Sequence, residues 1–237
     1  MPNHITNKLK INADKTLVQQ IKNYLKTEYD NGTVIGMDFN KIIPMPKSLN
    51  IESGTKEDLA LSIYIREHPD SEKKIKRAKT FFIQHNHKEI LERLKYCDMS
   101  YKDLLELGEK YYKNILDYGH STWYDWCNDY WGTKWNAYKS DLEDTEDTIY
   151  FLTAWAGVPK LIEMLSYKFP EAEFEYQYAD EDFGCNVGSF LFKNGEKTEI
   201  IIKDETPQAY DLACEITQTT LQDHGLNENY EYTEEDN

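Results

Sequence analysis

Apolar and polar residues alternate from His4 to Asn12, with Ile5, Leu9 and Ile11 on one face and Lys8 and Lys10 on the other, the period of a half-buried strand. Asp14 then offers an acceptor for free helical amides, and Leu17, Val18, Ile21, Tyr24 and Leu25 recur at helical spacing until Asp30-Asn31-Gly32. Alternation returns from Val34 to Ile43, where Ile35, Met37 and Phe39 share a side. Pro44 and Pro46 end that run because proline cannot donate to a strand ladder. The opening therefore predicts strand, helix, strand.

Between Thr55 and Tyr118 the period becomes helical. Leu59 and Ile63, then Ile75, Phe82, Leu91 and Leu94, then Leu104, Tyr111 and Ile115 predict three helices, with Thr55-x-x-Asp58 and Ser100-x-x-Asp103 as capping boxes. After the segment Gly119 to Tyr138 and the acidic linker LEDTEDT, Ile149 to Trp155 is apolar on both faces and predicts a central strand. Val158, Leu161, Ile162, Leu165 and Phe169 line a second amphipathic helix. Phe174, Tyr176 and Tyr178 alternate with Glu173, Glu175 and Gln177, predicting an edge-like strand with one acidic face. Asn194-Gly195 joins Gly188 to Lys193 with Thr198 to Lys203 as a hairpin, since both turn residues accept positive φ. Thr206-Pro207 opens a last helix with Ala209, Leu212, Ala213 and Ile216 on one face.

Setting the helical middle aside leaves two strand-helix-strand halves. The expected class is α+β: a ferredoxin-like antiparallel sheet with a helical insertion and a C-terminal hairpin plus helix. The expected division is 1–50 with 119–222 as the core, 51–118 as the insertion, and 223–237 as an acidic, disordered tail.

Charge changes this picture more than size does. Met1 to Ser140 carries 22 basic and 19 acidic residues, whereas Asp141 to Asn237 carries 5 and 24, so the formal charge of −16 arises entirely in the C-terminal part. Such a field repels nucleic-acid backbones and attracts basic protein surfaces. The N-terminus lacks an apolar leader, and no run reaches the roughly 18 apolar residues of a membrane span, so a cytoplasmic protein is expected. Cys97, Cys127, Cys185 and Cys214 form no CxxC pair, so neither a disulfide framework nor a zinc ribbon is implied.

Three stretches, PNHITNKLKI, FNKIIPMP and WYDWCNDYWGTKWNAY, together resemble the YubB-like family of bacteriophages and conjugative plasmids. The resemblance implies a ferredoxin-like domain and a mobile-element origin, within a bacterial host. It brings no catalytic residues with it, and His4 stands where members often carry tryptophan.

Two candidate sites follow. Glu173, Glu175, Tyr176, Tyr178, Asp180, Glu181 and Asp182 would form an acidic partner-binding face. Alternatively, Trp123, Trp126, Trp131 and Trp135 would stack a base while Lys134 meets a phosphate. The Trp-rich segment GHSTWYDWCNDYWGTKWNAY holds four of the five tryptophans, and packing is its competing explanation. His85-x-His87, His120 and Cys127 have no helical i, i+4 pairing, and no calcium-loop, phosphate-loop or GxGxxG spacing occurs, so no metal and no cofactor are expected. The basic run Lys73 to Lys79 reads as a solvated helical face. The expected function is a non-enzymatic mobile-element accessory protein that binds and inhibits a host defence or nucleic-acid-processing protein. The alternative is a nucleotide-sequestering module.

Overall fold

The computed structural model describes residues 2–28, 32, 34–73, 75 and 87–233. They fall into two compact units, 1–44 with 128–237, and 45–127.

The first unit is built on β1 (His4–Asn12), α1 (Lys15–Leu25), the short ladder of β2 (Thr27–Glu28) and β3 (Val34–Ile35), and, after the second unit, β4 (Tyr138–Lys139), β5 (Thr148–Ala154), α7 (Pro159–Lys168), β6 (Glu173–Asp180), β7 (Gly188–Lys193), β8 (Glu196–Ile200) and α8 (Pro207–Thr217). Its main sheet has the order β4-β5-β1-β6-β7-β8, antiparallel throughout. The path β1-α1-β4-β5-α7-β6 is the split pair of strand-helix-strand units of a ferredoxin-like sheet, and β7 and β8 extend it. The fold is α+β, as the patterning implies.

Two strand expectations need correction. Val34 to Ile43 does not supply the second sheet strand; only Val34–Ile35 is extended, paired with Thr27–Glu28, and the two-residue β4 fills that place beside β5. The cause is Asp38, whose carboxylate accepts from the Asn40 amide and starts a tight 3-10 turn at Phe39–Lys41. β6 is no edge: it lies between β1 and β7, with Leu9 opposite Tyr176 and Tyr176 opposite Phe190.

Register assigns the two faces. Ile5, Leu9 and Ile11 of β1 share a side with Phe174 and Tyr176 of β6, all buried, and α7 packs there through Leu161, Ile162 and Leu165. The opposite side is partly covered by α8, where Leu212, Ala213 and Ile216 close over Ala179. There Lys8 pairs with Glu215 and Lys10 with Glu175.

The second unit contains α2 (Thr55–Glu67), α3 (Pro69–Glu72), α4 (His87–Leu94), α5 (Tyr101–Tyr118) and the start of α6 (Trp123–Trp131), which continues into the first unit. Ser100 caps α5 by accepting from the Asp103 amide, as its spacing implies. Thr55 is already inside α2, whose cap is Gly54, so the first proposed box is absent. Leu59, Ile63, Leu104 and Tyr111 form the core between α2 and α5. At Gly108 the two backbones approach so closely that a Cβ would stand 2.1 Å from the Ala60 carbonyl oxygen. Of the basic run, Lys74, Lys76, Arg77 and Lys79 lie outside the described residues, as do Phe82 and His85.

The segment expected as a disordered tail holds local structure through residue 233. Gln222–His224 forms a 3-10 turn, Leu226 bridges Tyr232, and the Tyr230 hydroxyl donates to Asp211 on α8. Tyr230 gives this acidic stretch something to pack, stacking 6.1 Å from Tyr210. Among the described residues no helix is long and apolar enough to cross a membrane.

Candidate functional site

The residues of the acidic candidate set do not form one surface. Strand alternation sends Glu173 and Glu175 to the side bearing Lys8 and Lys10, and Tyr176 and Tyr178 to the opposite side. Glu175 accepts from Asn12 at 2.7 Å and lies 3.7 Å from Lys10, so part of its charge is compensated within the sheet. Tyr176 is completely buried. Its hydroxyl donates to Asn7 and accepts from the Val158 amide, and burial raises the phenol well above its ordinary pKa. Tyr178 is half-buried, with Gly157 and Gly188 lying against its ring. Asp180 is 7% exposed, accepting from Asn3, Asn186 and the Asp182 amide. Tyr176 and Asp180 are interior positions, not docking positions; Glu181 and Asp182 are exposed.

The aromatic candidate set is divided as well. Trp123 and Trp126 belong to the helical unit, where Trp123 meets Tyr124 edge-on and Trp126 is buried. In the sheet unit Trp131 is buried, donating from Nε1 to the Ile43 carbonyl at 2.9 Å and packing edge-on against Phe39. Trp126 and Trp131 present no stacking face to solvent, and Trp123 is partly covered. Trp135 differs: it is 40% exposed, and the Lys134 ammonium lies 4.0 Å from its ring centroid. Cys127 is buried beside Met45, and burial pushes its thiol up to about 12, which removes it as a nucleophile. Among the described residues no group of His, Cys, Asp and Glu side chains could hold a metal ion.

What the fold does assemble is an aromatic site at one end of the sheet. Pro2, His4, Trp135, Asn136 and Tyr138 line an open, mainly apolar pocket of about 550 Å³. His4 and Tyr138 come from β1 and β4, the strands flanking β5, and their side chains meet with Nδ1 2.7 Å from the phenol oxygen. The phenol also donates to the Thr153 carbonyl. Asn136 fixes the wall from behind: its Nδ2 donates to Asp38 and its Oδ1 accepts from the Phe39 amide. Burial alone would raise the Asp38 carboxyl, but hydrogen bonds from Thr27, Asn136 and Asn40 together hold it below its ordinary value.

Glu181 joins this site because its amide donates to the His4 carbonyl. Burial raises the Tyr138 phenol's pKa, and the Glu181 carboxylate raises it further. Trp155 follows the His4–Ala154 pair directly and is 53% exposed. Its φ of 71° is a left-handed conformation that costs a bulky residue on the order of 1–3 kcal/mol. It is held there by its own amide, which donates to Asn3, and by Asn186, which donates to its carbonyl. The site thus takes Glu181 from one candidate set and Lys134 and Trp135 from the other, and adds His4 and Tyr138; outside the pocket lining, but next in the chain to the residue paired with His4, stands Trp155. The one tryptophan outside the Trp-rich segment, placed just before Gly157 and Pro159, was the only sequence signal for the last of these.

Comparison with known proteins bears on the fold. No curated protein matches the chain. A crystal structure of protein api92 from Yersinia pseudotuberculosis is similar over 86% of this chain and 99% of that one, at 12% identity and a TM-score of 0.39. Residues 134–221, which run from the Lys134–Trp135 pair through β4 to β8 and α8, match the family model described as the ferredoxin-like domain in Api92-like protein.

Proposed function

We propose that this chain works by binding, and that its sheet unit docks on a basic protein surface. The observation that carries this reading is the partition of charge: residues 1–44 and 128–237 hold 29 acidic and 13 basic side chains, whereas 45–127 hold 14 of each. A net charge of −16 on one unit accelerates encounter with a cationic surface and disfavours polyphosphates. In its finer form the reading is that of a phage or plasmid accessory protein acting in the bacterial cytoplasm. There it would occupy the nucleic-acid groove of a host defence or nucleic-acid-processing protein and inhibit it. That setting rests on reading PNHITNKLKI, FNKIIPMP and WYDWCNDYWGTKWNAY as resembling the YubB-like family.

The immobilised chain should capture members of a panel of purified bacterial nucleases and DNA-binding proteins with basic grooves. Affinity should fall steeply between about 50 and 300 mM salt, and duplex DNA should compete. Failure of every such protein to bind, or binding indifferent to salt, would remove the proposal.

A nucleotide reading retains one supporting contact, Lys134 beside the exposed Trp135. Against it stands the field of the unit, which a triphosphate would have to enter.

A further inference from the structure

We infer that the pocket lined by His4, Trp135 and Tyr138 receives an arginine side chain of the partner protein, with Glu181 as its counter-ion. This rests on the basic-partner reading and gives it an address. Three features point the same way. The walls are aromatic and apolar, a surface on which a planar, weakly hydrated guanidinium stacks better than an ammonium. The neighbouring carboxylate is Glu181, tied to His4 through the backbone. Beyond it, Asp182, Asp204 and Glu205 lie close enough to Cys185 to add to the rise that burial gives its thiol, so this end of the sheet is acidic. Trp155, exposed and pinned by Asn3 and Asn186, supplies a second rigid indole next to the same N-terminal residues.

Lys134 makes the inference directional. Its ammonium already sits against the Trp135 ring, as the chain's own cation. A guanidinium must share or displace it, so Lys134→Ala should tighten binding of arginine. A phosphate ligand would use Lys134, and the same substitution should then weaken binding.

The probe is a capped Gly-Arg-Gly peptide titrated into the full chain, followed by the tryptophan indole N–H signals in NMR, with Trp135 assigned from its loss in Trp135→Phe. The Trp135 signal should move on titration, and the citrulline analogue, which keeps the shape and lacks the charge, should bind at least several-fold less. Glu181→Gln should weaken binding and Lys134→Ala strengthen it, each about two- to fivefold. Equal binding of citrulline, weaker binding in Lys134→Ala, or an unmoved Trp135 signal would each overturn the site. An octa-arginine peptide separates the two levels. Salt-dependent binding that leaves Trp135 unmoved would defeat this pocket and keep the basic-partner reading, whereas octa-arginine failing to bind would defeat that reading even if the tripeptide found the pocket.

Discussion

The Tyr176 hydroxyl donates to the side-chain carbonyl of Asn7 at 2.6 Å, joining the two central strands of the sheet through a polar contact with no access to water. The same oxygen accepts from the Val158 amide at the start of α7, and Asn7 in turn donates to Thr153 on β5. One hydroxyl therefore ties β6 to β1 and to the first turn of a helix. Tyr176→Phe would leave a buried carbonyl and a buried amide unsatisfied, at a cost of about 2–4 kcal/mol. Chemical denaturation would measure it, and Asn7→Ala added to Tyr176→Phe should cost far less than the two single losses combined.

In the helical unit the corresponding vulnerable point is Gly108. A methyl group there meets the Ala60 carbonyl at 2.1 Å, and backbone on a packed helix cannot swing aside as a side chain would. Gly108→Ala should therefore destabilise the α2–α5 pair by about 1–3 kcal/mol despite its better helix propensity. Hydrogen exchange confined to 45–127 is the readout; unchanged or slower exchange would show that the helices can separate freely.

Trp155 should trade stability against binding. Replacing it by Gly removes the penalty of the left-handed backbone and is expected to raise stability by about 1 kcal/mol, because the indole buries only part of its surface. The same substitution should weaken capture of a basic partner. Thermal unfolding and binding measured on one preparation would test both; a less stable Trp155→Gly would mean the indole contributes more packing than its exposure implies.

His224 gives the C-terminal segment a pH dependence. Its ring stacks on Phe183 with centroids 3.6 Å apart, and Nε2 is 2.8 Å from the Thr219 hydroxyl. Burial lowers its pKa below the ordinary 6.5, with Asp223 opposing the shift. The unfolded segment therefore binds the proton more readily than the folded one. Its stabilising contribution is complete above about 6.5 and is lost as pH falls through the depressed folded value. Protection factors across 219–233, corrected for the intrinsic slowing of amide exchange in acid, should fall between neutral and mildly acidic pH, and His224→Gln should abolish that fall.

Much of the architecture was legible because long elements carry their own period. β1, α1 with its Asp14 cap, α5 with its Ser100 cap, the Asn194-Gly195 turn at φ 49° and 79°, and α8 behind Thr206-Pro207 all lie where spacing puts them. Two residues have no period, so β4 left no trace, and the strand expected at Val34 took its place by default. β6 looked like an edge because of its glutamates. Lys10 on the adjoining strand, more than 160 positions away, supplies the counter-charge that Glu175 has in its central place. The aromatic site was illegible for the same reason: residues 2–4 and 135–138 meet, with 181 bonded beside them, only through antiparallel register, and no local spacing encodes register between distant strands.

Among the described residues β8 meets the rest of the sheet along one side only, and every one of its residues is exposed. Its outward amides are already solvated in the native state, so they have no ladder partner to lose on opening. Deuterium uptake should begin at this margin and advance through β7 before reaching the Asn7–Tyr176 pair. The sheet thus has a sequence of yielding, from its hairpin side inward, with its polar lock the last to release.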